Sequence, residues 1–175
     1  MKVLSRTLIL GNSGSGKSTL AHNLAALVEA PAVDLDIFHW ESDGYGAKRD
    51  EDAARRLVLT AAAESRWIIE GVYGWLAEVA VPRATALIWL DMPWAICCEG
   101  LLARGPRRRS TDADNQALLT WAEAYWKRKT PSSFTGHQTI FESFTGTKYR
   151  LRSRTEVSQL LDELAAHRSA EELPR

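Results

Sequence analysis

The stretch LILGNSGSGKSTL, residues 8–20, decides the fold of this chain. A short apolar run ends at a glycine, and a loop of glycines and serines then leads into Lys-Ser-Thr. Residues 11–18 fit G-x-x-x-x-G-K-[ST] at every fixed position, between a predicted strand and a predicted helix. The backbone N–H groups of such a loop and the N-terminus of the helix bind phosphate oxygens. The stretch therefore predicts a phosphate-binding loop made of Gly11, Asn12, Ser13, Gly14, Ser15, Gly16, Lys17, Ser18 and Thr19.

Three side chains of the loop have separate roles in this prediction. Lys17 should reach the β- and γ-phosphates of a nucleoside triphosphate, and the Ser18 hydroxyl should bind Mg²⁺. Thr19 supplies a second hydroxyl. A flexible Gly-Ser turn with an incidental lysine is the alternative, but the strand before it and the helix after it argue against that interpretation. The sequence thus predicts a protein that binds a nucleoside triphosphate with Mg²⁺.

Length and composition fit one globular domain. The chain has 175 residues, of which 45% are hydrophobic and 25% charged, so we expect a single core over residues 1–175. The formal net charge is zero, which gives no general attraction to nucleic acid or membranes. Cys97 and Cys98 are adjacent, which excludes a disulfide framework. The N-terminus has no signal-peptide pattern, and the most apolar window, residues 84–98, is too short to span a bilayer, so we expect a cytoplasmic protein.

Strands and helices alternate along the chain. Predicted strands cover residues 4–10, 32–35, 66–71, 84–90 and 149–151, and predicted helices cover 17–29, 51–64, 93–103, 116–129, 137–144 and 156–167. Such alternation predicts an α/β fold, in which a five-stranded parallel sheet has helices on both faces. A ligand site in such a sheet lies at the carboxyl ends of its strands. Because Gly11, Asp36, Glu70 and Asp91 stand at four of these ends, we expect them to meet at one edge.

Further segments resemble adenylate-kinase-like P-loop kinases. The segments are VDLDIFHW (33–40), RWIIEGVY (66–73), ATALIWLDMP (84–93) and an arginine-rich break after Ala103. They are most similar to the adenylate-kinase-related branch often labelled DNA topology modulation protein. The resemblance covers nearly the whole chain. It implies a three-layer P-loop NTPase fold with a short lid around residues 104–114, and a small ATP-dependent kinase.

The resemblance implies roles for three acids. Glu70 matches the acid that ends the third strand in these kinases, and it would hold a Mg²⁺-bound water. Asp34 and Asp36 resemble the Asp-x-Asp of shikimate-kinase-like enzymes, which serves the metal and the acceptor hydroxyl. Because residues two apart on a strand share a face, both can point at the site. Asp36 is the candidate for accepting or orienting the acceptor's hydroxyl proton, and a helix or turn cap is the alternative for it.

Arginines supply the next part of the resemblance. Adenylate-kinase-like enzymes have arginines seven and eleven residues after the strand-end proline, which is Pro93 here. The first position is Gly100, so the arginine expected near the base is missing, and the second is Arg104. We predict that Arg104 contacts the transferring phosphate, assisted by Arg108, in a lid that excludes water. A solvated basic loop or a nucleic-acid patch is the alternative.

Acceptor candidates lie near the predicted strand ends. They are His39, Trp40, Tyr73, Arg83 and Arg128. The segment EGVYGW (70–75) lacks the arginine that adenylate kinases have shortly after Asp-Gly, so a nucleoside monophosphate is not favoured. We therefore expect a Mg-ATP-dependent phosphotransferase that acts on a nucleotide or on a small hydroxylated metabolite.

A nucleotide-binding regulatory protein is the second hypothesis. In that case the lid and the arginine-rich loop would engage DNA, RNA or a protein partner. The zero net charge argues against extensive binding to a nucleic-acid duplex. Transfer of phosphate to an acceptor separates the two hypotheses.

Overall fold

Five strands form one parallel sheet in the computed structural model, which describes residues 2–41, 47–105 and 111–172. The strands are β1 (Arg6–Gly11), β2 (Ala32–Asp34), β3 (Trp67–Gly71), β4 (Ala86–Leu90) and β5 (Thr147–Leu151). Their order across the sheet is β2-β3-β1-β4-β5, and every neighbouring pair is parallel. The predicted five-stranded parallel sheet is confirmed.

Helices connect and flank the strands. They are α1 (Lys17–Val28), α2 (Asp36–His39), α3 (Glu51–Ala63), α4 (Gly74–Ala80), α5 (Trp94–Arg104), α6 (Asp112–Glu123), α7 (Phe134–Ser143) and α8 (Arg154–Glu172). Short 3₁₀ turns cover Lys2–Leu4, Val81–Arg83 and Ala124–Trp126. The phosphate-binding loop runs from the end of β1 to the start of α1, as the sequence pattern predicts.

The hydrophobic core has two parts, one on each face of the sheet. Ile9 of β1 packs with α1, α5 and α8 on one face. Leu8 and Leu10 pack with α3, α4 and α7 on the other. Successive residues of a strand point to opposite faces, and a sheet covered on both faces therefore needs a continuous apolar run such as LIL. The result is the expected three-layer arrangement.

The span predicted as a lid, residues 104–114, overlaps α6, because a reciprocal cap starts that helix at Asp112. The Thr111 hydroxyl accepts from the backbone N–H of Asp114, and the Asp114 carboxylate accepts from the N–H of Thr111. The first turn of α6 thus lies inside the span predicted as lid. Arg108, in the segment 106–110, lies outside the described residues.

Other boundaries also differ from the prediction. The helix predicted over 116–129 ends at Glu123 and continues as a 3₁₀ turn. α7 starts at Phe134 rather than residue 137, since the Ser133 hydroxyl accepts from the N–H of Gly136 and caps the helix. The short helices α2 and α4 were not predicted, because four and seven residues are too few for a clear helical period.

None of the described helices combines the length and the apolar composition that crossing a bilayer requires.

Candidate active site

A cleft of about 270 Å³ lies at the carboxyl edge of the sheet. The phosphate-binding loop forms its floor, and acids from β2, α2 and β3 form one side. Two arginines, from the end of α5 and the start of α8, also line it. The lining residues with functional side chains are Lys17, Ser18, Thr19, Asp34, Asp36, Glu70, Arg104 and Arg154. The cleft therefore brings residues of the loop together with Asp34, Asp36, Glu70 and Arg104, whereas the predicted acceptor residues are not among those that line it.

The loop owes its shape to glycine at two positions. Gly14 and Gly16 have φ angles of +78° and +94°, which side chains with a Cβ rarely adopt. A Cβ on Gly14 would also lie 2.0 Å from the Cys97 carbonyl oxygen of α5. Lys17 is buried, and its Nζ donates to the Asn12 carbonyl at 3.0 Å. The loop and its lysine are thus held in place by local bonds.

Asn12 also ties the loop to α6. Its side-chain amide donates to the Ala122 carbonyl at 2.8 Å, and its side-chain oxygen accepts from the N–H of Ser13 at 2.8 Å. Asn12 is buried, and its bond to Ala122 is shielded from water. The helix α6 is therefore bonded directly to the floor of the cleft.

Ser18 and Glu70 meet although they are 52 positions apart. The Ser18 hydroxyl donates to Glu70 Oε1 at 2.5 Å. Glu70 is on β3, which pairs with β1, so the sheet itself brings the acid to the start of α1. Glu70 is buried, with only 3% of its surface exposed. A hydroxyl and a carboxylate at this position are oxygen donors of the kind that Mg²⁺ prefers.

Asp34 and Asp36 both line the cleft, but not as neighbours on one strand. β2 ends at Asp34, and Asp36 is the first residue of α2. The backbone N–H of Asp36 donates to Asp34 Oδ1 at 2.8 Å. Asp34 thus accepts from one of the N–H groups at the start of α2 that have no partner within the helix. The prediction that both aspartates face the site by strand alternation was wrong in its reason, because a turn brings Asp36 to the cleft.

Asp34 is surrounded by negative charge. It pairs in register with Glu70 on β3 and lies next to Asp36. Burial, together with the negative charges of Asp36 and Glu70, raises the pKa of Asp34 to about 7, against smaller lowering effects from the hydrogen bond and Lys17. A carboxyl group in this position tends to keep a proton, or to bind a cation, near neutral pH.

The predicted aromatic acceptor residues form one cluster beside Asp36. The ring of His39 stacks on Tyr73 with centroids 4.0 Å apart, and Trp40 meets it edge-on at 4.7 Å. Trp75 lies 5.9 Å away in a T-shaped arrangement. Burial lowers the pKa of His39. The rings thus form a wall on the β2 and β3 side of the sheet.

Two other predicted acceptor residues lie elsewhere. Arg83 precedes β4, at the amino edge of the sheet, where its guanidinium donates to the Ala63 carbonyl. Arg128 donates to the carbonyls of Trp121 and Ser132, and its guanidinium lies 3.8 Å from the centre of the Trp121 ring. The structure does not bring either arginine to the cleft.

Position 100 is glycine for a steric reason. Gly100 of α5 lines the cleft, and a Cβ there would lie 2.3 Å from the Gly14 carbonyl oxygen. The helix therefore approaches the phosphate-binding loop too closely for a side chain. The arginine that the sequence resemblance leads one to expect could not occupy this position without moving the loop.

Arg154 was missed by the sequence reasoning. It begins α8, directly after the β5 segment, and it donates to the carbonyls of Ser15 and Gly14. The position of Arg154 in the sequence could have indicated it. Residues that follow β5 lie at the same carboxyl edge of the sheet as those that follow the other strands.

A buried network behind the cleft was also missed. The indole N–H of Trp89 donates to the Tyr125 hydroxyl at 3.3 Å, and that hydroxyl lies 2.7 Å from His137 Nδ1. His137 Nε2 lies 3.0 Å from the Val72 carbonyl. A carbonyl only accepts, so Nε2 carries the proton and Nδ1 accepts from Tyr125. The network ties α7 to the residue that follows β3 and lines the cleft.

Solved structures of small-molecule kinases share this fold. A gluconokinase from Sinorhizobium meliloti 1021 is 14% identical with a TM-score of 0.56, covering 97% of this chain and 94% of its own. A shikimate kinase from Acinetobacter baumannii in complex with shikimate is 12% identical with a TM-score of 0.53, covering 97% and 96%. A sugar kinase from Janibacter sp. HTCC2649 is 16% identical with a TM-score of 0.51, covering 92% and 90%. The chain has the fold of these kinases.

No protein-family model matches the chain, and no curated protein matches it either.

Proposed function

We propose that the chain is a Mg-ATP-dependent kinase that phosphorylates a hydroxyl group of a small molecule. One observation carries the proposal: the phosphate-binding loop and the acids Asp34, Asp36 and Glu70 line the same cleft. Such a cleft can hold a triphosphate and an acceptor hydroxyl side by side, which phosphoryl transfer requires.

The donor end of the cleft is the loop with Lys17 and Ser18. The Lys17 ammonium leaves the Asn12 carbonyl to contact the β- and γ-phosphates, which are stronger acceptors. Ser18 and Glu70, with Asp34 nearby, would hold Mg²⁺ through their oxygen atoms. When bound, the metal neutralises charge that develops on the phosphate oxygens.

The acceptor end is the side formed by β2 and β3. Asp36 accepts or orients the proton of the acceptor hydroxyl. The acceptor oxygen forms a bond to the γ-phosphorus, the bond from that phosphorus to the bridging oxygen of ADP breaks, and the hydroxyl proton passes to Asp36. Arg104, at the end of α5, stabilises the charge on the transferring group.

The acceptor is a nucleotide or a small hydroxylated metabolite, and we favour the metabolite. His39, Tyr73 and Trp75 form an aromatic wall beside Asp36, which suits the C–H face of a sugar-like or cyclic molecule. Structures with this fold include proteins described as a sugar kinase, a gluconokinase and a shikimate kinase. Their names support this class of acceptor.

Only the resemblance of sequence segments such as residues 33–40 and 66–73 supports a closer family relationship. We propose that the chain belongs to the adenylate-kinase-like P-loop kinases, in the branch labelled DNA topology modulation protein, and forms a single domain over residues 1–175. A cytoplasmic location stays a prediction.

The test is ADP release from Mg-ATP in the presence of a panel of acceptors. The panel contains sugars, gluconate, shikimate, aminoglycosides, nucleosides and nucleoside monophosphates. We expect one class to stimulate ADP release and to gain one phosphate by mass spectrometry. Lys17→Ala should abolish the stimulation, and Asp36→Asn should lower it while ATP binding is retained.

A different outcome would favour the regulatory hypothesis. Tight ATP binding, without stimulation by any acceptor and without a phosphorylated product, would contradict the kinase proposal. Mobility shift of short duplexes over a salt series would then test nucleic-acid binding, for which a steep salt dependence is expected.

A further inference from the structure

We propose that Arg154 is a positioning residue for phosphate binding, which fixes the orientation of two carbonyl groups of the phosphate-binding loop. This inference rests on the part of the proposed function in which the loop binds a triphosphate. It does not depend on which acceptor is used or on whether phosphate is transferred.

Arg154 lies directly against the loop. Its Nη1 is 2.5 Å from the Ser15 carbonyl oxygen, and its Nη2 is 3.3 Å from the Gly14 carbonyl oxygen. A Cβ on Gly16 would lie 2.1 Å from the same Nη1. Gly16 is favoured by its positive φ, and a Cβ at this position would also displace the guanidinium of Arg154. The fork of one arginine spans two successive peptide groups.

Because the peptide bond is planar, these contacts also fix the direction of the N–H group that follows each carbonyl. In a trans peptide the C=O of one residue and the N–H of the next point in opposite directions. With the Ser15 carbonyl turned toward Arg154, the N–H of Gly16 points the other way, and Gly16 lines the cleft. Arg154 thus orients a donor that a phosphate oxygen can use.

The neighbouring peptide is held at both ends. The Gly14 carbonyl accepts from Arg154, and the N–H of Ser15 donates to the Asn12 carbonyl at 3.2 Å inside the loop. The Asn12 carbonyl is also the acceptor for Lys17. The contact made by α8 therefore supports the same set of bonds that places the loop lysine.

The proposal predicts that the shape of the guanidinium matters as well as its charge. A lysine keeps the positive charge, but its single ammonium cannot donate in parallel to two carbonyls as a planar fork does. Arg154→Lys separates the two effects, because a simple charge contact with the triphosphate would survive the change and a two-point clamp would not.

Arg152 provides a matched control two residues earlier. Its side chain is 62% exposed, and its Nε lies 3.4 Å from Asp91 Oδ2 instead of contacting the loop. Arg152→Gln removes the same charge from the same segment of chain. A general electrostatic effect should appear equally in both glutamine variants.

The experiment is calorimetric titration of the full chain with Mg-ATP and with inorganic tripolyphosphate. For Arg154→Gln we expect both affinities to fall by a similar factor, about tenfold or more. Arg154→Lys should recover only a minor part of the loss, and Arg152→Gln should stay within about twofold of wild type. Thermal unfolding of each ligand-free variant checks that it is folded, and if Arg154→Gln does not fold, Arg154→Lys alone gives the test.

Three results with the variants would overturn the proposal. Unchanged affinities in Arg154→Gln would remove any role in binding. Full recovery in Arg154→Lys would leave only a charge contact. A loss confined to ATP would mean that Arg154 touches the nucleoside instead of organising the loop. Wild type that binds both ligands without acceptor-dependent turnover refutes the kinase but leaves this test intact, and wild type that binds neither overturns both.

Discussion

Ser18 donates a hydrogen bond of 2.5 Å to Glu70, and this bond joins the phosphate-binding loop to the acid at the end of the neighbouring strand. The bond depends on the parallel pairing of β1 with β3, which places the end of one strand beside the start of α1. In a kinase with bound Mg²⁺, both oxygens are close enough to serve the same ion. The hydrogen bond between Ser18 and Glu70 therefore marks the side of the cleft on which Mg²⁺ would bind in the proposed reaction.

Glu70→Gln should reduce turnover far more than stability. The amide oxygen can still accept from Ser18, but the charge that would hold Mg²⁺-bound water is lost. We expect kcat to fall by about 10²-fold and the Mg²⁺ concentration for half-maximal activity to rise. Steady-state kinetics over a Mg²⁺ series measures both, with Glu78→Gln on the exposed face of α4 as the control. An unchanged Mg²⁺ dependence would contradict the assignment of Glu70.

Asp34→Asn should stabilise the ligand-free protein at alkaline pH. The pKa of Asp34 is raised to about 7 in the folded chain, above its value in the unfolded chain, so wild type loses stability as pH rises from about 4 to about 7. The variant lacks this loss, and its amide oxygen still accepts from the N–H of Asp36. At pH 8 we expect a gain of up to about 4 kcal/mol that disappears toward pH 4.

Urea unfolding of wild type and Asp34→Asn between pH 4 and pH 8 measures this difference. Asp162→Asn, at an exposed position of α8, serves as the control and should show no comparable trend. A variant that is less stable than wild type at pH 8 would show that Asp34 is held by favourable contacts instead of by burial among like charges.

His137 should make the fold sensitive to acid. Burial lowers the pKa of this histidine to about 3, while the unfolded chain takes up a proton near pH 6.5. Its contribution to stability is thus complete above pH 6.5 and is lost as pH falls toward 3, at up to about 1.4 kcal/mol per pH unit. In His137→Gln this component of the slope should be absent, whatever the stability at pH 7.

The readout for His137 is the slope of unfolding free energy against pH. His167→Gln, an exposed substitution on α8, is the control that should keep the slope of wild type. If His137→Gln keeps the slope of wild type, the buried network with Tyr125 and Val72 does not hold a neutral imidazole.

Gly100→Ala should destabilise the protein, although replacing glycine by alanine in a helix usually stabilises it. Replacing glycine by alanine inside an exposed helix normally adds about 1 kcal/mol of stability. Here the new methyl group would lie 2.3 Å from the Gly14 carbonyl oxygen, so α5 or the loop must move. We expect a loss of about 1–3 kcal/mol together with weaker ATP binding.

Denaturant unfolding and ATP titration of Gly100→Ala test this prediction. Glu99→Ala, at the neighbouring exposed position, should change neither quantity markedly. A stabilised Gly100→Ala variant with normal ATP affinity would show that the loop yields easily at this contact.

Local patterns carried much of the fold prediction. The phosphate-binding loop is a contiguous pattern, and its glycines are needed for backbone angles that act within a few residues. The order of strands and helices follows from apolar runs and their periods, so the parallel sheet could be predicted although helix ends moved with caps such as Thr111. Glu70 was predicted because strand ends in a parallel sheet share one edge.

Other parts of the site depend on distant contacts that no local pattern contains. Arg128 was a candidate by residue type, but its guanidinium is held by Trp121 and by the Ser132 carbonyl. Arg154 was not a candidate, although the fold carries it 139 positions back to Ser15. The direction of a long side chain is set by the partners that surround it after folding.

The sequence by itself determined the glycine-rich loop of residues 11–18, the α/β alternation and the edge of the sheet at which the cleft lies, because each depends on local backbone preference or on strand order. Only the tertiary structure decided which charged side chains reach the cleft. Arg154 reaches the cleft because the packing of α8 places its guanidinium against the loop. Arg83 does not, because it precedes β4 and lies at the opposite edge of the sheet.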